Sequence, residues 1–109
     1  MDQETRPRIL RTLPREKAFY FFTSIGNYTG ESAASLREFV EKVAVVNVKS
    51  LEFHLYRGDF EKWVAEVLED KYLAQEIGTF KGLGYKDERL KDEFHRVLSR
   101  RYSRLAGML

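Results

Sequence analysis

The sequence predicts a small α+β domain that is mainly α-helical, in which a short aromatic β-ribbon precedes four or five helices and the last helix is long. Three observations predict it. Residues 18–24 read AFYFFTS and precede a turn-rich cluster. Apolar residues recur at helical spacing from residue 35 onward, and the longest segment with this spacing predicts one helix over about 86–106. At 109 residues, the chain is long enough for one domain with its own hydrophobic core.

The composition is that of a folded protein. Apolar residues make up 43% of the chain and aromatic residues 14%, which is enough to form a core. The chain has no cysteine, so disulfides and thiolate metal sites are excluded. Its apolar runs are far shorter than the roughly 20 residues of a membrane helix, and its first residues lack the apolar stretch of a secretory signal. We therefore expect a cytoplasmic protein with no membrane partner.

Charge divides the chain into three parts. Both ends are basic and the middle is acidic, although the net charge is only +2. We expect an extended N-terminal arm over residues 1–13, a helical core module over residues 14–80, and a hinge with a basic C-terminal helix over residues 81–109. The high charged fraction, 33%, and the scarcity of amides are typical of proteins from hot environments, which predicts a thermostable protein.

The β-ribbon is predicted from the aromatic residues of 18–24 and from the turn residues of IGNYTG that follow them. Its partner strand is expected near residues 28–33. Pro14 followed by Arg-Glu-Lys is also a helix start, which leaves a second interpretation open. A two-stranded ribbon is marginally stable alone, so it must pack on the helices.

Two helices are predicted from their ends. Ser35 and Glu38 form a capping-box pattern, and the apolar residues after them predict a helix over about 35–46. The next segment, SLEFHLY, fits a strand as well as a helix. Ser50 as N-cap and Gly58 as a left-handed C-terminal residue favour the helix, and the strand stays the alternative.

Aspartates are expected to cap the next two helices. Asp59 precedes FEKWVAEVL, which has a continuous apolar stripe, and Asp70 precedes KYLAQEI, which Gly78 would close. The stretch GTFKGLGY is rich in glycine and predicts a loop or hinge. The final helix has acids before bases, the order that the helix dipole favours.

His54 is the best candidate for catalysis, because histidine titrates near neutral pH and charged residues from Glu52 to Asp59 surround it in the sequence. On a helix, however, His54 shares a face with Leu51 and Leu55. That placement favours a buried, hydrogen-bonded histidine of the core over a catalytic one.

A metal site is weakly indicated. Asp92 and His95 have the i, i+3 spacing of a carboxylate–histidine site, but such a site needs a second pair, and no carboxylate stands at that spacing before His54. We therefore expect no catalytic, cofactor or metal site. The polar and aromatic residues of the central segment are predicted to have structural roles: Ser35, His54, Gly58, Asp59, Trp63 and Asp70.

The basic C-terminal helix is the candidate for nucleic-acid or partner contact, since its arginines could bind phosphates and a tyrosine among them could stack on a base. The alternative is that these arginines oppose the helix dipole and solvate the outer face. The candidate contact residues are Arg96, Arg100, Arg101, Tyr102 and Arg104. Arginines of the N-terminal arm could add to them: Arg6, Arg8, Arg11 and Arg15.

Residues 14–77 resemble a family of small archaeal and bacterial domains of unknown function. The resemblance covers an aromatic strand-like start, a Ser-Leu-x-x-Phe helix, a Phe-His segment, an Arg-Gly-Asp step before Phe and Trp, and an Asp-x-x-Leu-Ala end. It implies a module that occurs alone or attached to larger proteins, some of them carbohydrate-related. The matching positions are Ser35, Leu36, Phe39, Phe53, His54, Asp59, Phe60, Trp63, Asp70, Leu73 and Ala74.

The sequence predicts a non-catalytic binding or adaptor module that contacts another protein, or its own copy, through the C-terminal helix and an aromatic surface. Trp63, Phe60 and Tyr56 could form that surface, although stripes at helical spacing more often belong to a core. The alternative function is an RNA- or ribosome-associated factor that uses the terminal arginines. A hydrolase or metal enzyme centred on His54 is a third hypothesis.

Overall fold

A computed structural model describes residues 8–107. Within this range, a two-stranded antiparallel ribbon precedes five α-helices, which confirms the mainly helical α+β fold with a long last helix. The strands are β1 (Phe19–Ser24) and β2 (Asn27–Ala33), and the helices are α1 (Leu36–Val43), α2 (Val48–Arg57), α3 (Asp59–Trp63), α4 (Lys71–Lys81) and α5 (Asp87–Gly107).

The ribbon turns one aromatic face toward the helices. Alternation along β1 buries Phe19 and Phe21 and leaves Phe22 partly exposed, as expected for side chains that point to opposite faces of a strand. Gly26, in the turn between the strands, has a φ of 80°, a left-handed conformation that favours glycine. The aromatic strand and its hairpin partner are confirmed.

The segment before the ribbon packs on the core. Residues 8–10 form a helical turn that buries Ile9, and Leu13 is buried after it. These three residues are helical where an extended arm was predicted, and the buried Ile9 side chain holds them against the body. Residues 1–7 lie outside the described range. The helix start predicted at Pro14 is also present, as a short 3₁₀ helix over Arg15–Lys17.

Helix α1 begins with the predicted cap. The Ser35 hydroxyl accepts a hydrogen bond from the backbone N–H of Glu38 at 3.1 Å. The Glu38 carboxylate accepts one from the N–H of Ala34 at 2.8 Å, so the return bond is made one residue before the cap. The helix ends at Val43, which is earlier than predicted.

The segment SLEFHLY, for which the sequence left a strand as the alternative, is helical and lies within α2. Helix α2 begins earlier than predicted, because Asn47 is the N-cap and its side chain accepts from the N–H of Lys49 at 2.8 Å. The prediction that Ser50 caps this helix is wrong: Ser50 lies inside the helix, fully buried. Gly58 ends α2 with a φ of 83°, as the left-handed C-terminal position requires.

The segment FEKWVAEVL is divided in two. After α3, residues Val64–Leu68 form a π-helical segment that ends at Glu69, whose φ is 67°. The N–H of Asp70 donates to the carbonyl of Val64 at 3.0 Å and closes this wide turn. Helix α4 then continues through Gly78, which the sequence predicted as its end.

Helix α5 packs along the body through an apolar stripe and completes one hydrophobic core. Ile9 and Leu13 from the predicted arm belong to the same buried cluster as the α5 stripe. The division into arm, module and C-terminal unit stays a prediction. Within residues 8–107, no helix combines the length and the apolar character needed to cross a membrane. The buried residues of α5 are Leu90, Phe94, Leu98 and Leu105.

Candidate functional site

His54 is held in the core by two hydrogen bonds. Its Nε2 accepts from the backbone N–H of Phe22 at 2.8 Å, and its Nδ1 lies 2.8 Å from a carboxylate oxygen of Asp59. The ring is 5% exposed and packs edge-on against Phe19, 4.8 Å between centroids. Because a backbone amide only donates, Nε2 must be unprotonated and Nδ1 must carry the hydrogen. Burial lowers the pKa of His54, and Asp59 opposes this only in part.

Asp59 does not cap a helix, which corrects the prediction. Helix α3 has no side-chain cap, since Gly58 occupies the N-cap position and Asp59 is already the first helical residue. One Asp59 oxygen instead accepts from the Nδ1–H of His54 and from Nε of Arg57 at 3.1 Å. The Arg57 guanidinium also lies over the ring of Phe53, 4.7 Å from its centroid. Asp59 thus fixes the tautomer of a buried histidine.

Asp70 joins the start of α4 to the last third of α5. Its side chain is 1% exposed and receives a bidentate pair from Arg101, with N–O distances of 2.9 and 3.0 Å. The same carboxylate accepts the N–H of Leu73 at 3.1 Å, which is the predicted N-cap bond. The Arg101 guanidinium also covers the ring of Tyr72 at 4.7 Å. Arg101 is therefore bound to a buried carboxylate, which argues against its predicted role as a phosphate contact.

The other predicted contact residues on α5 remain at the surface, except one. Arg96, Arg100 and Arg104 are exposed, whereas Tyr102 is half-buried and packs against the core. A groove of about 650 Å³ runs along α5 beside Ala44, at the end of α1. We name it the α5 groove, and its polar lining includes Lys91, His95, Arg96, Ser99, Arg100 and Ser103.

Only Arg96 and Arg100 of the eight residues that line this groove were among the predicted contacts. Lys91, His95, Ser99 and Ser103 follow one another at i, i+4 spacing, so they form one row along the helix. That spacing could have predicted these residues, but the prediction was based on the arginines alone. Asp92 also lines the groove, and within residues 8–107 no cluster of three or more metal-ligating side chains occurs there or elsewhere.

The N-terminal arginines are used internally as well. Arg8 forms a bidentate pair with Glu69 at 2.7 and 2.8 Å, and Arg11 donates to the carbonyl of Val67 at 2.7 Å. The pair raises the pKa of Arg8 and lowers that of Glu69, mainly through their hydrogen bond. Both arginines thus contact the end of the π-helical segment. Arg15 stays exposed, and Arg6 lies outside the described residues.

The predicted aromatic surface is mostly core. Phe60 is fully buried and Trp63 is 7% exposed, with its indole N–H donating to the carbonyl of Lys17 at 2.8 Å. Only Tyr56 is at the surface, and its hydroxyl donates to the carbonyl of Tyr85 at 3.0 Å. Phe60 is therefore out of reach of a partner, and Trp63 offers only a small edge of its ring.

A second groove lies between α3 with its π-helical extension and α4. We name it the α3–α4 groove; its volume is about 1050 Å³. The ion pair of Glu61 with Lys81, 2.7 Å, crosses between the two helices, and the Glu61 carboxylate lies over Gly78. A Cβ on that glycine would come within 2.9 Å of a Glu61 oxygen. Small residues make up part of the lining: Gly58, Ala65, Ala74 and Gly78.

An apolar depression extends this groove along α4. It measures about 420 Å³ and shares Tyr72, Gln75 and Thr79 with the larger groove. Tyr72 is 48% exposed at one end and Leu83 is 61% exposed at the other. The outer face of α4 therefore presents a continuous surface with an aromatic and an aliphatic side chain at its ends.

A family model matches residues 14–108, which include both grooves and the two buried polar pairs. The chain belongs to DUF5752, a family of unknown function. The DUF5752 match extends past residue 77, where the resemblance described above ended, so the basic helix α5 is part of the family domain. The helical turn at residues 8–10 precedes the match. No curated protein and no solved structure matches the chain.

Proposed function

We propose that this DUF5752 protein is a non-catalytic binding module that holds a segment of a protein partner, or of its own copy, in the α3–α4 groove. The observation that carries the proposal is the surface of α4, where a groove lined by small residues is continuous with exposed Tyr72 and Leu83. This surface replaces the one predicted from the sequence, since Trp63 and Phe60 belong to the core.

The hydrogen bonds of His54 support a non-catalytic role for the protein. A general base needs a free nitrogen within reach of a substrate proton. The Nε2 of His54 accepts from a backbone amide and its Nδ1 donates to Asp59, in a ring that is 5% exposed. The strongest catalytic candidate of the sequence thus has both nitrogens engaged.

The lining of the groove favours a partner segment that combines apolar side chains with charged ones, because Lys62, Glu66 and Lys71 line the groove beside its small residues. Small residues such as Ala65 and Ala74 allow the backbone of a helix or an extended segment to approach closely, whereas Gly78 is covered by the Glu61 carboxylate. Tyrosine is enriched among the residues that dominate binding energy, and Tyr72 is partly fixed by the Arg101 guanidinium above its ring. Leu83 offers an exposed aliphatic contact at the other end.

The test blocks the groove with one substitution. Thr79 is exposed and lines both parts of the surface, so Thr79→Arg places a long charged side chain there while helix α4 keeps a good helix former. Thr12→Arg makes the same change at an exposed position outside the grooves. The tagged full-length wild type and both variants are purified from the native host, with and without nuclease treatment. A protein partner captured in this way is then purified, and its affinity for each of the three proteins is measured.

We expect the wild type and Thr12→Arg to bind the purified partner equally and Thr79→Arg to bind at least about tenfold more weakly. If light scattering shows a dimer that only Thr79→Arg dissociates, the partner is a second copy. Equal affinity of all three proteins would overturn the proposal, and so would loss of every captured protein on nuclease treatment.

RNA contact is the second candidate function, because three of the four arginines predicted as contacts on α5 are exposed. Arg96, Arg100 and Arg104 remain on the outer face after Arg101 is taken up by Asp70. Cations along one face supply the sequence-independent part of nucleic-acid binding. The nuclease step above separates this candidate from the first.

A further inference from the structure

We propose that the α5 groove is a binding site for the phosphate backbone of single-stranded RNA. This inference rests on the second candidate function and adds the site, whose row of Lys91, His95, Ser99 and Ser103 was not among the predicted contacts. It is independent of the α3–α4 groove, with which the α5 groove shares no lining residue.

The lining of the α5 groove is chemically suited to phosphate. Lys91, Arg96 and Arg100 contribute positive charge, against a single acid, Asp92, among its lining residues. Ser99 and Ser103 add hydroxyl donors at i, i+4 spacing, which on a helix repeats about every 6 Å. Cations and hydroxyls that alternate along one direction match a chain of phosphates better than a single isolated anion.

Acidic side chains near the groove compete only weakly for these cations. The only partner that Arg96 has among the described residues is Glu93, at 3.4 Å, and the Arg96 side chain is 62% exposed. An exposed pair of this kind contributes little and yields readily to a phosphate. Arg101, by contrast, is held by a buried carboxylate and is unavailable.

A single strand is favoured over a duplex by the side chains present. The groove combines cations with planar groups on which bases can stack, namely the imidazole of His95 and the guanidinium groups of Arg96 and Arg100. Sites for single strands typically pair a basic groove with such stacking surfaces. None of the groove residues is Asn or Gln, the side chains that pair with the edge of adenine, so we expect no preference for adenine.

The experiment measures binding of a fluorescent 12-nucleotide oligouridylate to the full-length protein between about 50 and 200 mM salt. The test variant is the triple change Lys91→Gln, Arg96→Gln and Arg100→Gln. The control removes exposed charge elsewhere, by Lys17→Gln and Lys62→Gln. A third variant, Arg104→Gln, removes an arginine of α5 that lies outside the groove lining.

For a single strand, each phosphate contact contributes about 0.7 to the slope of log affinity against log salt, so the triple variant should lose about 2 from the slope. The control and Arg104→Gln should each change it by less than half of one contact, about 0.3. This pattern, with weaker binding of duplex RNA and of anionic vesicles, supports the inference.

Each of the remaining outcomes would overturn the inference, and each rules out a different part of it. No binding by the wild type at the lowest salt removes both the site and the RNA candidate. Binding that survives the triple change but falls with Arg104→Gln leaves RNA contact standing and rules out the groove. Equal binding of duplex RNA or vesicles rules out a site for single strands.

Discussion

Asp70 and Arg101 form a bidentate ion pair in which the carboxylate is 1% exposed and the guanidinium side chain 14%. The pair joins residues 31 positions apart and fixes α5 against the start of α4. It also decides which arginines of α5 are free, because Arg101 is bound inside while its neighbour Arg100 is exposed. Arg101 thus joins two helices, whereas the adjacent Arg100 stays open for the binding that we propose.

We expect Arg101→Gln to lower the free energy of unfolding by about 3 kcal/mol, because it leaves the Asp70 carboxylate buried without its counter-charge. The same change at the exposed neighbour, Arg100→Gln, should alter it by less than about 0.5 kcal/mol. Urea denaturation of both variants measures the difference. Similar values for the two would show that the pair does not hold α5 in place.

Two serines of similar burial should respond in opposite ways to alanine. Ser35 caps α1 through the N–H of Glu38, so Ser35→Ala should cost about 1 kcal/mol. The Ser50 hydroxyl is buried and has no hydrogen-bond partner among residues 8–107. Ser50→Ala removes an unsatisfied group from a helix interior and should be neutral or stabilising by up to about 1 kcal/mol. Thermal unfolding of the pair checks this, and a large loss in Ser50→Ala would reveal an unrecognised partner.

The free energy of unfolding should decrease as the pH is lowered, because of His54. Burial lowers the pKa of His54 below its ordinary value of 6.5, so the unfolded chain takes up a proton at a pH where the folded one does not. The stabilisation is therefore complete above about pH 6.5 and is lost as the pH falls toward the folded pKa. Since glutamine does not titrate, the stability difference between wild type and His54→Gln should narrow from pH 7.5 to pH 5. A difference that widens would mean that the folded protein favours the charged imidazole.

The role found for Asp59 changes the reason for its importance. The sequence predicted a helix cap, whereas its carboxylate receives the Nδ1–H of His54. Asp59→Ala leaves that buried donor unpaired and should cost about 1–3 kcal/mol. In the double variant with His54→Gln the loss from Asp59→Ala should be smaller than in the wild type, as urea denaturation would show. Additive losses would indicate that the two side chains act separately.

The sequence predicted the elements well where the signal is local. The aromatic alternation of β1 and the capping residues Ser35 and Asp70 act within a few residues, so their pattern is visible in the chain. Gly78 was misjudged as a helix end, because the reason for a glycine there is the Glu61 carboxylate of another helix.

The candidate sites depended on contacts distant in sequence and were predicted less well. Nothing near Arg101 distinguishes it from Arg100, and only the folded chain brings Asp70 beside it. The α3–α4 groove arises from two helices whose small residues have no shared local pattern. The π-helical turn that ends at Glu69 is likewise secured by Arg8, 61 residues away.

The most direct test of the account is site-specific photo-crosslinking in the native host, with p-benzoylphenylalanine in place of Leu83, at the exposed end of the α4 surface, or, as the control, of Thr12. The account predicts that irradiation links position 83 to one discrete protein, or to a second copy of the chain, and leaves position 12 unlinked. The same products from both positions, or none from position 83 while the protein stays folded, would contradict recognition through this surface.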